Sequence, residues 1–165
     1  MDLKFTFGGA SPDHHDHGGA PSAVPLPFTT SSGGSSSVLE VRARLEDAAR
    51  DASEAAETAQ SSGTRIIAEA LSGDGVAYST AAVALTGAET ADLARALRSA
   101  LSRAVAGLEG PLVDSITALV VDLGGAELEA LAELGVDTEL PVLVVPAALQ
   151  QRIGVAESTP IRLGA

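Results

Sequence analysis

All three phenylalanines of this chain, Phe5, Phe7 and Phe28, fall before residue 38, so the remainder must build its core with Tyr78 as its only aromatic residue. Hydrophobic residues make up 45% of the chain and aromatics only 2%, which leaves Ala, Val, Leu and Ile to fill the interior. Such side chains let backbones approach closely, but each contact buries little area. Stability then has to come from many small contacts. A length of 165 residues suffices for one domain with its own core.

Composition shifts sharply near Ser37. Residues 1–37 hold four Pro, six Gly and a dense set of Ser and Thr, without helical periodicity. This reads as an extended arm preceding a single globular domain over 38–165. The arm is not featureless, because it carries the phenylalanines. Leu3-Lys4-Phe5-Thr6-Phe7 alternates apolar and polar, the pattern of a strand with one buried face. A short strand at the tip of an arm can add to an exposed sheet edge, with Phe5, Phe7 and Phe28 as anchors.

The domain opens on what reads as a capping box, Ser37 with Glu40 three residues on. Val38, Val41, Leu45, Ala48, Ala52, Ala55 and Ala59 then recur at spacings of three and four. Arg42/Glu46 and Glu46/Arg50 stand at helical spacing beside them. The pattern predicts a long helix over 38–61 with an Ala-rich heptad seam, resuming over 64–71 after Gly63. The seam can pack within the chain or against a second copy.

Ser72-Gly73-Asp74-Gly75 reads as a turn and Val76–Leu85 as a strand. Thr86-Gly87-Ala88-Glu89 looks like a second capping box and predicts a helix over 87–106, ended by Gly107 and Gly110. The segment 112–123 fits a helix or a buried strand, and the Gly-Gly pair after it favours the strand. A helix over 126–134 follows. Pro141–Val145 reads as a buried strand, Pro146 opens a short helix to Ile153, and Pro160–Leu163 reads as an edge strand. The expected fold is α/β or α+β. It has a mixed sheet of about four short strands, a long N-terminal helix and two or three shorter ones.

The formal net charge is −12, from 22 acidic residues against 10 basic ones. A field of that sign repels phosphate backbones and anionic membrane surfaces, which argues against sequence-specific nucleic-acid binding or a membrane role. Cysteine is absent, removing disulfides, thiolate nucleophiles and thiolate-held zinc. No long apolar run and no basic-then-apolar leader is present, so the expected location is the cytoplasm or a particle assembled there.

Asp13-His14-His15-Asp16-His17 gathers every histidine of the chain. Neighbouring imidazoles and carboxylates suit zinc, nickel or copper, and a solvated or interface loop without metal explains the same residues. No cofactor is expected beyond such a metal. From residue 38 onward there is no His, Cys, Lys or Trp. A Ser-His-Asp or Cys-His site would need its base from the arm, and acid–base chemistry in the domain would fall to carboxylates or Tyr78. Neither GxxxxGK[ST] nor GxGxxG occurs.

Leu134-Gly135-Val136-Asp137-Thr138-Glu139-Leu140, with Leu149-Gln150-Gln151-Arg152-Ile153-Gly154-Val155 behind it, resembles the stretch around the prosthetic-group serine of acyl carrier proteins. That family places a serine directly after the aspartate. Here the position holds Thr138, and Pro141 and Pro146 interrupt the helix the family needs. The resemblance therefore implies no carrier role.

With little catalytic equipment and an anchoring arm, the expected function is non-enzymatic. The chain reads as a structural or assembly subunit of a large particle, such as a tailed-virus-like head, neck or tail component. Its partners would be copies of itself and neighbouring subunits. An adaptor or regulator with a metal-responsive His/Asp tract is the alternative, and a carboxylate- or metal-dependent enzyme the third.

Overall fold

The computed structural model describes residues 38–47 and 63–164. They form a mixed α/β fold around one six-stranded sheet. The strands are β1 (Leu39–Asp47), β2 (Thr64–Ser72), β3 (Ala77–Ala84), β4 (Ile116–Asp122), β5 (Leu143–Val144) and β6 (Pro160–Leu163). The helices are α1 (Thr90–Ala106), α2 (Glu127–Glu133) and α3 (Ala147–Ile153), with a 3-10 segment at Gly110–Ser115 leading into β4.

The strand order is β3-β2-β1-β4-β6-β5. β1, β2 and β3 form an antiparallel meander, whereas β4 runs parallel to β1 and β6 parallel to β4. α1 therefore carries the chain from one outer edge, over β2 and β1, to the far side of β1, as a parallel crossover requires. It packs against β1, β2 and β3, and α2 and α3 pack against α1, so the three helices share one face. The short β5 closes the other edge, antiparallel to β6.

The first strand corrects the expected long helix. Leu39, Val41 and Ala43 are fully or almost fully buried, while Arg42 between them and Arg44 after them are exposed. That is a period of two, and it is visible in Leu39-Glu40-Val41-Arg42-Ala43-Arg44-Leu45-Glu46 itself. A helical seam through Val38, Val41 and Leu45 leaves out Leu39, which is 0% exposed, and includes Val38 and Leu45, which are 45% and 36% exposed. Glu40 does not cap a helix but pairs with arginines on the sheet. Arg42 and Glu46 do not pair with each other; Arg42 meets Glu40, and Glu46 meets Arg65. The resumed helix over 64–71 is likewise a strand, with Ile66, Ala68 and Ala70 directed into the core opposite Leu45, Ala43 and Val41.

The remaining elements follow the expected pattern with shifted ends. α1 starts at Thr90 rather than 87, and Glu89 at its N-cap makes no side-chain cap hydrogen bond. Ala94, Leu97, Ala100, Leu101, Ala104 and Val105 form its buried face, Asp92 lies in its first turn and Arg103 in its last, in the sense that favours the helix dipole. The ambiguous 112–123 segment splits into the 3-10 turn and β4. Only Leu143 and Val144 of the expected 141–145 strand pair in the sheet. β6 is not an edge, because it lies between β4 and β5.

The core consists of the helix-facing side of the sheet and the inner faces of the helices. Its largest fully buried side chains include Leu39, Ile66, Leu97, Leu101, Leu119 and Leu131. Burial at position 39 separates the strand from the helix reading energetically. Leu39→Ala is expected to cost about 2–5 kcal/mol, and Leu45→Ala less than about 1 kcal/mol. Urea unfolding followed by circular dichroism checks both, and a seam-like helix would reverse the order.

Candidate functional site

The outermost strand, β3, is the feature of this fold best placed to meet another chain. Its eight residues, Ala77-Tyr78-Ser79-Thr80-Ala81-Ala82-Val83-Ala84, contain no charge and no proline. One side pairs with β2, from Arg65↔Ala84 to Leu71↔Ala77, and the other pairs with no strand among the described residues. Long outer strands are usually blunted by charge, proline or a covering element. β3 has only a register shift at its start. Ser79 opposes Ala70 and Ala77 opposes Leu71, so Tyr78 is the extra, unopposed residue of a β-bulge. Tyr78 is 46% exposed and Val76, two residues before it, is 52% exposed. An exposed tyrosine on a strand with free backbone groups offers both ladder hydrogen bonds and an aromatic anchor.

The carboxyl ends of the parallel strands are the usual ligand position in an open α/β sheet, and they carry Asp47, Asp122 and, at the start of α2, Glu127. These acids do not converge. Asp122 is register partner of Arg44, so Asp47, three residues further along β1, points to the opposite face. Asp47 is held by the Thr64 hydroxyl at 3.0 Å. Glu127 turns back on the loop before it, where its Oε1 accepts the backbone N–H of Leu123 at 2.7 Å and of Gly125 at 2.9 Å. Gly124 and Gly125 both have positive φ, at 69° and 103°, a conformation that side chains with a Cβ rarely adopt. The amide bonds, that from Gly125 foremost, hold the Glu127 carboxyl below the usual glutamate range against the opposing effect of burial. Glu127 is a structural clamp on this turn.

The face of the sheet away from the helices is an ionic lattice. Glu40 accepts from Arg42 at 3.0 Å and from Arg162 at 2.9 Å, linking β1 to β6. Arg65 places two nitrogens on Glu46, at 2.9 and 2.7 Å, and Arg44 pairs with Glu69, linking β1 to β2. Of these, Arg65–Glu46 and Arg44–Glu69 join neighbouring strands and support their pairing, each by a few tenths of a kcal/mol to about 1 kcal/mol. They leave little free charge on that face.

The residues singled out from sequence fare unevenly. Val41 belongs to the core, while Val38 and Leu45 are surface positions flanking it. Ala48, Ala52, Ala55 and Ala59 lie outside the described residues, as do Phe5, Phe7 and Phe28 and the tract of Asp13, His14, His15, Asp16 and His17. Among the described residues no group of His, Cys, Asp or Glu could hold a metal ion. No helix among them is long and apolar enough to cross a membrane. Sequence reasoning passed over the β3 edge, although an uncharged alternating run following a Gly-rich turn was its available signal. In comparisons with known proteins, no family model, no curated protein and no solved structure matches this chain.

Glu127 gives a pH prediction of definite sign. Its carboxyl is more acidic folded than unfolded, so its contribution is complete above the ordinary glutamate pKa of about 4.3 and fades as pH falls through the lower folded value. Glu127→Ala removes the acceptor of two amides and should cost about 1–3 kcal/mol at pH 7. Glu127→Gln keeps an acceptor, costs less, and should flatten the acid limb of stability below about pH 4.3. Urea titrations from neutral to acid pH test both.

Proposed function

We propose that this chain is a non-enzymatic assembly subunit that joins its neighbours by backbone pairing at the β3 edge. The observation that carries the reading is the uncharged β3 strand, with Tyr78 bulged beside an edge that pairs with no strand among the described residues. The occupant we assign is the alternating segment Leu3–Phe7 of the arm, from a neighbouring copy. In an extended strand Phe5 and Phe7 would fall on the same side and would bury beside Tyr78 and Val76. The scarcity of catalytic residue types from 38 onward supports a role in assembly over one in chemistry.

In its finer form this reading makes the chain a tailed-virus-like head, neck or tail component. The support is the net charge of −12, which suits a wall past which DNA slides without sticking. The particle assignment is narrower than the assembly assignment, and the test below addresses assembly.

The full chain should form a defined oligomer at about micromolar concentration, seen by size-exclusion chromatography with light scattering. Deleting residues 1–37 should leave monomer. Ala82→Lys, which puts a charge at an exposed position of β3, should do the same in the full chain without loss of secondary structure. If the truncated protein oligomerises as well as the full one, the tethering proposal fails.

A further inference from the structure

The arginines of the described region fall into two groups. Arg42, Arg44, Arg65 and Arg162 are paired with glutamates on the sheet, and Arg95 pairs with Asp92 at 3.0 Å. Arg98, Arg103 and Arg152 make no ion pair or hydrogen bond among the described residues. Arg103 sits in the last turn of α1, where the helix dipole favours a cation. Arg152 likewise sits in the last turn of α3, and Arg98 has no such account. Both line one open depression between α1 and α3, together with Arg95, over a floor that includes Ala94 and Leu134.

Local sequence builds this depression. Arg95 and Arg98, three apart on α1, project from one side of the helix. Small Ala94 beside them leaves room that a larger residue would fill. Arg152 stands in the last turn of α3, which ends at Gly154 in the left-handed conformation, φ 78°. Three guanidiniums around one hollow repel each other. Of the three, only Arg95 has a carboxylate partner. Glu133 also lines the hollow, yet forms an ion pair with none of the three. The volume is about 170 Å³, below the usual range for a drug-sized ligand.

We propose that this depression binds a small oxyanion that also carries hydrogen-bond donors, a short phosphorylated polyol being the fitting class. Arg98 and Arg152 hold the oxyanion, since planar guanidinium forks match phosphate oxygens in pairs. Arg95, already engaged by Asp92, completes the positive wall. Glu133 accepts from a ligand hydroxyl and disfavours an anion that has no donor to offer it. The site is independent of the β3 edge and of the assembly reading.

Calorimetric titration of the full chain at low ionic strength, with inorganic phosphate and with glycerol 3-phosphate as probes, tests the assignment. Saturable binding of one ligand per chain is expected, tighter for glycerol 3-phosphate. Arg98→Gln and Arg152→Gln should each weaken it about tenfold, as loss of a charged hydrogen bond implies. Arg103→Gln should leave it unchanged. Glu133→Gln should tighten inorganic phosphate and narrow the difference between the probes. Circular dichroism of each variant confirms the fold, and Arg98→Lys, which keeps the charge, should recover part of the affinity. Absence of saturable binding to either probe overturns the proposal. So does wild-type affinity in both glutamine variants, or an equal loss in Arg103→Gln, which would reveal only diffuse attraction.

Discussion

Everything in this domain depends on close packing of α1 over the antiparallel meander without aromatic side chains. Leu39, Val41 and Ala43 on β1 and Ile66, Ala68 and Ala70 on β2 meet the Ala94, Leu97, Ala100, Leu101 and Ala104 side of the helix. Six of these eleven residues are alanines, whose contacts persist only where helix and sheet lie close. A single added methylene has nowhere to go, and a single lost one leaves neighbours that cannot collapse far. The crossover follows from the same constraint. One helix long enough to cover β3, β2 and β1 delivers the chain to the far side of β1, where β4 begins its parallel run.

The charges are arranged around that packing. The sheet face turned from the helices carries, among apolar residues such as Ile67 and Val120, glutamates and arginines joined in ion pairs. Four of the chain's few cations are consumed there. Arg98 and Arg152, which have no counter-charge among the described residues, meet at a hollow on the helix side. An acidic protein thus has a neutralised sheet face and one concentrated positive pocket.

Much of the fold is legible in the sequence from residue 76 onward. The apolar stripe of α1 and the Pro146 start of α3 carry period and boundary signals that tertiary context did not overrule. The region before it misleads for a physical reason. Val38, Val41 and Leu45 satisfy helical spacing, while Leu39, Val41, Ala43 and Leu45 satisfy strict alternation, and alanine and arginine favour helices locally. Pairing with β2 and β4 on either side decides for the strand, and that information lies far along the chain. The β6 position failed similarly: four residues between Pro160 and Leu163 say nothing of neighbours, and a two-residue β5 was enough to cover the edge. The arginine hollow was illegible because Arg98 and Arg152 lie on different helices, far apart in the chain, and only their packing brings them together.

The bulge at Tyr78 has a spectroscopic consequence. The chain contains no tryptophan and no other tyrosine, so its intrinsic emission excited near 280 nm comes from that one ring. A phenol already half in water changes its surroundings little when the core melts. Fluorescence is thus nearly blind to global unfolding of this domain. The same probe reports the outer rim of the sheet, and a quencher excluded from Tyr78 measures how much of that rim a bound strand covers.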